Sequence, residues 1–182
     1  QAAITFVEEK KPEDRVLTLT FSSAVDTLDD FDQDAGAIVH SISRIGAFGN
    51  TRLYDALYTA AERLGEVSQP RFIVLMTDGV DEGGWGARGS VRTLDEALAC
   101  AKANQVTVYT VGLGDQIDRA VLTRITRETR GFAFYTSNPE ELRRIYRDLS
   151  IGLLRGRYRI VYRSTVDASG APSISVNAGV AR

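Results

Sequence analysis

The feature that most constrains this chain is the segment Arg71 to Gly84, RFIVLMTDGVDEGG. Phe72 to Met76 is an unbroken apolar run, and Thr77, Asp78 and Gly79 follow it at once. A run this short, without alternation, suits a strand buried on both faces of a parallel sheet. A buried helix segment is the competing reading, and the Ile-Val pair and the closing glycine favour the strand. Asp78 then stands at the carboxyl end of a parallel strand, where open α/β sheets gather ligands. A carboxylate there can serve cation chemistry, or it can simply form an Asp-Gly turn.

The flanking sequence supplies the rest of such a sheet. Arg15 to Ser22 (RVLTLTFS) reads as a strand, and Val25 to Phe31 as a short edge strand. Ala35 to Ile45 carries apolar residues at helical spacing. Thr51 to Leu64 does the same, with Asn50 as its expected cap and Gly65 as its terminator. Thr93 and Glu96 form a capping-box pattern before the helix Leu94 to Ala103. Val106 to Val111 reads as a strand, Asp118 to Thr129 as a helix and Phe132 to Tyr135 as a short strand. Asn138, Pro139 and two acids then open a helix reaching about Leu154. Gln1 to Lys11 looks like the tail of a helix, as in a fragment or a processed form. Alternating strands and helices indicate an α/β fold with a mostly parallel sheet flanked by helices. Arg157 to Arg163 and Ser173 to Asn177 break the alternation and are expected to form an antiparallel strand pair at an edge.

The 182 residues suit one domain with a sizeable core. A formal charge of −2 and a pI near 5.5 offer no general basic field for nucleic acid. No apolar stretch is long enough to span a bilayer. One cysteine, Cys100, excludes an internal disulfide and a Cys-rich metal site. It falls in a helix at the margin of the apolar stripe, where it reads as a small hydrophobe. The single histidine, His40, lies in a helix without an identified acid or nucleophile. There is no GxSxG elbow and no GxxxxGK[ST], and Gly112-Leu113-Gly114 lacks the third glycine of GxGxxG because Ile117 stands there. Asp78, Asp81 and Glu82, with Asp115 after the next strand, could bind a hard cation, do acid-base work or form a solvated acidic loop.

Taken together, these segments resemble a von Willebrand factor type A (VWA) domain over nearly the whole chain. Asp14 to Ser23 is similar to that family's second strand. Gly49 to Leu57 (GNTRLYDAL) resembles its threonine-bearing loop, Arg71 to Gly84 its fourth strand with the TDG end, and Val106 to Asp115 with Gly131 to Leu149 its last strands and helix. The tail Leu154 to Val176 resembles VWA-related proteins found especially in acidobacteria, often exported, so the resemblance suggests an extracytoplasmic location. It implies a Rossmann-like VWA fold spanning 1–154 and a β-extension over 155–182.

The resemblance also implies a non-enzymatic protein-interaction or adhesion module with a metal-ion-dependent adhesion site. In such a site a magnesium or other divalent cation takes a carboxylate from an acidic residue of the partner. Thr51 and Asp78 match two parts of the site, and Gly49 and Gly79 shape its loops. The DxSxS segment, with the strand before it, is not found ahead of Asp14. Magnesium wants about six oxygens in near-octahedral array, so these residues alone are expected to hold metal weakly or not at all. The absent strand would lie in the middle of the sheet, leaving its neighbours with unpaired backbone groups; a cut chain is the favoured explanation. The alternatives are a structural scaffold with a degenerate, metal-free site, and a metal-dependent hydrolase using Asp78, Asp81 and Glu82.

Overall fold

In a computed structural model of the chain, residues 2–46, 50–68, 70–83, 87–155, 165–166 and 172–173 are described. The apolar run forms β3 (Phe72–Thr77), which pairs in parallel with β4 (Thr107–Leu113) from Phe72↔Thr107 to Thr77↔Gly112. β4 in turn pairs in parallel with β5 (Ala133–Thr136). The connections between these strands carry α4 (Leu94–Ala103) and α5 (Arg119–Thr129), and α6 (Pro139–Ser150) follows β5. Parallel strands need such crossovers, because a tight turn cannot return the chain to the same end of the sheet.

Both faces of this sheet are covered, which is why β3 and β4 do not alternate between apolar and polar residues. On one face Leu75 and Val108 meet Leu57 and Ala61 of α3 (Leu53–Gly65), Leu98 and Ala101 of α4, and Leu122 and Ile125 of α5. On the other, Val111 and Val74 pack with Ile145, Tyr146 and Leu149 of α6 and with Phe6 of α1 (Ala2–Glu8). Phe6 sets its ring edge-on to Tyr146 and Phe72, with centroids 6.2 and 6.4 Å away. Each fully buried side chain of this size stabilises the fold by about 1.5–3 kcal/mol.

A second ladder stands apart. β1 (Val16–Phe21) pairs antiparallel with β2 (Val25–Asp32), and α2 (Ala35–Ser43) packs beside them. Among the described residues no ladder joins β1 to β3. α3 nevertheless packs on both strands, and Phe21 of β1 reaches the cluster that α3 builds with α4. This open boundary lies where the resemblance noted above expects a further strand, and among the described residues none stands there.

Several local expectations need correction. Asn50 does not cap α3: Arg52 holds the cap position without a side-chain cap bond, and the caps come from elsewhere in the chain, as described below. Gly65 is inside α3 rather than beyond its end, and Glu66 is the cap. Its lack of a side chain serves packing, since a Cβ there would stand 2.4 Å from Asn104 Oδ1. Phe132 is outside β5 and 68 % exposed. After Ser150 the helix continues as a π-helical turn, Ile151–Arg155. The C-terminal pair consists of β6 (Thr165–Val166) and β7 (Pro172–Ser173), antiparallel and joined to neither of the other ladders among the described residues. It thus begins at Thr165, between the two segments read as strands. Residues 157–163 and 174–177, read as strands, lie outside the described residues.

Candidate functional site

β1 and β3 both run toward one rim of the molecule, and the loop before α3 crosses between their ends. On the β1 side, Arg52 N–H donates to Ser22 O at 3.1 Å, and Asn50 N–H donates to Ser23 Oγ at 3.2 Å. On the β3 side, Thr51 forms an isolated antiparallel bridge with Glu82: Thr51 N–H donates to Glu82 O at 2.8 Å, and Glu82 N–H donates to Thr51 O at 3.1 Å. Thr51 is therefore fixed by its own backbone bonds to Glu82 and by those of its neighbours Asn50 and Arg52 to the β1 side, two residues ahead of the helix.

The turn after β3 is set by its own threonine. Thr77 Oγ1 accepts from Gly79 N–H at 3.3 Å and donates to Gly79 O at 3.1 Å. This side-chain turn bends the chain immediately after the strand. Thr136 uses the same device after β5, where its hydroxyl meets both backbone groups of Asn138. Gly79 lies against the threonine loop, since a Cβ on it would stand 3.7 Å from Thr51 Oγ1. Asp78, one residue earlier, is exposed. Among the described residues neither the Thr51 hydroxyl nor the Asp78 carboxylate has a hydrogen-bond or ion-pair partner. Gly49 lies outside the described residues.

The neighbouring acids are arranged differently. Asp81 accepts from Ser90 through both oxygens, from Oγ at 2.5 Å and from N–H at 3.1 Å, and Tyr54 N–H approaches it at 3.4 Å. Ser90 Oγ also accepts the N–H groups of Tyr54 and Asp55, at 3.0 and 3.1 Å. Asp55 answers by accepting from Val91 N–H at 3.0 Å and Arg92 N–H at 2.8 Å. Helix starts leave several N–H groups without intrahelical partners. Here a serine 35–36 residues away supplies what Arg52 does not. Burial first, and then the Asp81 charge, push the Tyr54 phenol pKa upward.

Ser90, Asp55 and Tyr54 were not legible as rim residues, because each partner is far away in sequence and none belongs to a short motif. Glu82 contributes its backbone to the bridge and leaves its side chain exposed, and Asp115 is also exposed. Among the described residues no group of three or more His, Cys, Asp or Glu side chains could hold a metal ion. His40 is exposed on α2, and Cys100 is half-buried on α4, its Sγ 3.8 Å from Tyr58 O.

Comparison with known proteins places this architecture. The curated Synechocystis protein sll0103 is 27 % identical over 156 residues; the match covers 81 % of this chain and 35 % of that protein, so the chain spans about a third of its length. A von Willebrand factor type A protein from Catenulispora acidiphila superposes with a TM-score of 0.69 at 20 % identity, covering 82 % of this chain and 36 % of that one. Proximal thread matrix protein 1 from the mussel byssus, in a form with a zinc-occupied MIDAS motif, gives 0.67 at 18 % identity, covering 82 % and 38 %. Residues 1–148 match the von Willebrand factor type A domain family, and the chain belongs to it.

Proposed function

We propose that this domain is a non-enzymatic protein-interaction module whose rim contributes Thr51 and Asp78 to a divalent-cation site of the MIDAS kind. Magnesium or a similar hard cation bound there would take a carboxylate from an acidic residue of a protein partner. VWA domains are often interaction modules of this sort, and the mussel relative has a MIDAS motif occupied by zinc. One observation carries the reading for this chain. At a rim where Asp81 and Asp55 are committed to backbone N–H groups, the Thr51 hydroxyl and the Asp78 carboxylate remain uncommitted beside the same turn. Gly79 sits within van der Waals reach of Thr51, and we assign Gly79 and Gly49 the shaping of the loops that carry the site.

The donor set bounds what these residues do. A hydroxyl and a carboxylate are hard oxygen donors suited to magnesium. They are two donors where about six are wanted. The remaining donors must come from water, the partner and residues outside those described, which the family resemblance assigns to a DxSxS segment. Thr51 and Asp78 would hold or orient ligands of the ion, and the protein would do no covalent chemistry. We further propose that 1–154 is the VWA unit and 155–182 a β-extension beside it.

Calorimetric titration of the full-length protein with MgCl2 tests this reading. Saturable binding that disappears in Asp78→Ala supports it. No binding, or binding indifferent to Asp78→Ala, overturns it. The short donor set, two oxygens where about six are wanted, motivates a second reading, a metal-free scaffold that binds partners through its surface. A null titration together with intact folding would establish that reading instead. No helix among the described residues is long and apolar enough to cross a membrane.

A further inference from the structure

The side-chain lock between the loop after β3 and the start of α3 has no part in the cation reading, yet it joins the two segments that carry Thr51 and Glu82. Thr51 lies two residues before α3, and its backbone is tied to Glu82, one residue after Asp81 and four after Asp78. A single two-residue bridge is a weak tether, since a lone pair of strands is marginal in water. The bridge is braced just beyond Glu82, where Ser90 returns and is buried to within 4 % exposure. Ser90 Oγ has one proton and two acceptor lone pairs. It uses all three, donating to Asp81 and accepting from Tyr54 N–H and Asp55 N–H. Asp55 closes the circuit on Val91 and Arg92. The result is a capping box assembled from two distant segments, with the helix start on one side and the loop on the other.

We infer that Ser90, gripped by Asp81 and answered by Asp55, is a positioning residue that holds the threonine loop in register with Asp78. The cation role of that register rests on the reading proposed above, whereas the lock itself does not. Asp81 is thereby a brace rather than a ligand. With both oxygens directed at Ser90, it is turned toward the inside of the loop.

The test uses the full-length protein, amide hydrogen exchange and MgCl2 titration, with Ser90→Ala, Ser90→Thr and Asp55→Asn. Ser90→Ala should speed exchange of the Thr51 and Glu82 amides about tenfold or more, although neither residue is altered. The amides of Val108 and Val111, in the middle of β4, should keep wild-type rates. Magnesium affinity should fall about tenfold, the scale of lost outer-shell support. Ser90→Thr, which keeps the hydroxyl, should restore both readouts. If Ser90→Ala does not fold, Asp55→Asn turns a donor toward one of the two N–H groups that Asp55 accepts and should show the same local pattern more weakly. Unchanged exchange at Thr51 and Glu82 overturns the lock. Faster exchange there with unchanged magnesium affinity overturns its positioning role. Faster exchange in a protein whose wild type binds no magnesium supports the lock and overturns the cation reading alone.

Discussion

Gly89→Ala is the sharpest single perturbation of this rim. A Cβ built on Gly89 would stand 2.3 Å from Thr51 O and 2.7 Å from Glu82 O. These are the two carbonyls that accept the bridge hydrogen bonds. Both obstacles are backbone, so no flexible side chain can swing away. Overpacking of this kind costs about 1–3 kcal/mol. Losing the two bridge bonds adds about 1 kcal/mol for each. The expected destabilisation is roughly 3–5 kcal/mol, or about 6–20 °C in Tm for a domain of this size. Two other glycines separate sterics from backbone strain. Gly114 has φ +84° with nothing within 4 Å of its Cβ position, so Gly114→Ala should cost only the left-handed strain, about 1–2 kcal/mol. Gly152 has open space and no positive φ, and Gly152→Ala should be neutral or slightly stabilising. Urea denaturation of the three variants supplies the ranking. Gly89→Ala no less stable than Gly114→Ala would refute the reasoning.

Other parts of the chain give independent checks. Thr93→Ala removes the capping box of α4, whose Thr93 Oγ1 accepts from Glu96 N–H and whose Glu96 carboxylate accepts from Thr93 N–H at 2.7 Å; it should cost about 1 kcal/mol in a denaturation titration. Leu98→Ala opens a cavity between α4 and the sheet, where Leu98 is 1 % exposed, and should cost about 2–5 kcal/mol by the same assay. Burial pushes the Tyr146 phenol well above the ordinary tyrosine range, so the folded chain keeps a proton that the unfolded chain gives up above about pH 10. That contribution is fully present below pH ~10 and is lost as pH rises through the folded pKa. Tyr146→Phe should flatten the alkaline fall in stability, and an unchanged slope would contradict the assignment.

The parts of the fold legible in sequence are those whose causes are local. Phe72–Thr77 could be read because a strand covered on both faces needs apolar residues at every position, and Leu94–Ala103 because Thr93 and Glu96 carry their capping signal within four residues. Asn138 and Pro139 announced α6 for the same reason. The misreadings came where the cause was distant. Asn50 has the chemistry of a cap, but its N–H is drawn to Ser23 while the real cap, Ser90, arrives from the far side of a loop. Gly65 looks like a helix stop and is instead a place where Asn104 must pass. At the rim, the TDG turn and the threonine were visible as residue types. Which acids were free and which were braces was not, since Asp78, Asp81 and Asp55 differ in their partners and not in their chemistry.

The most direct measurement of the central claim is titration of the 15N-labelled full-length protein with a trace of Mn2+, followed by paramagnetic broadening of its amide signals. The account predicts that the signals of Thr51, Asp78 and Gly79 broaden first, that excess Mg2+ restores them, and that Asp78→Ala abolishes the effect. Broadening that begins elsewhere, or that spares Thr51 while affecting Asp78, would contradict a cation position shared by the two residues.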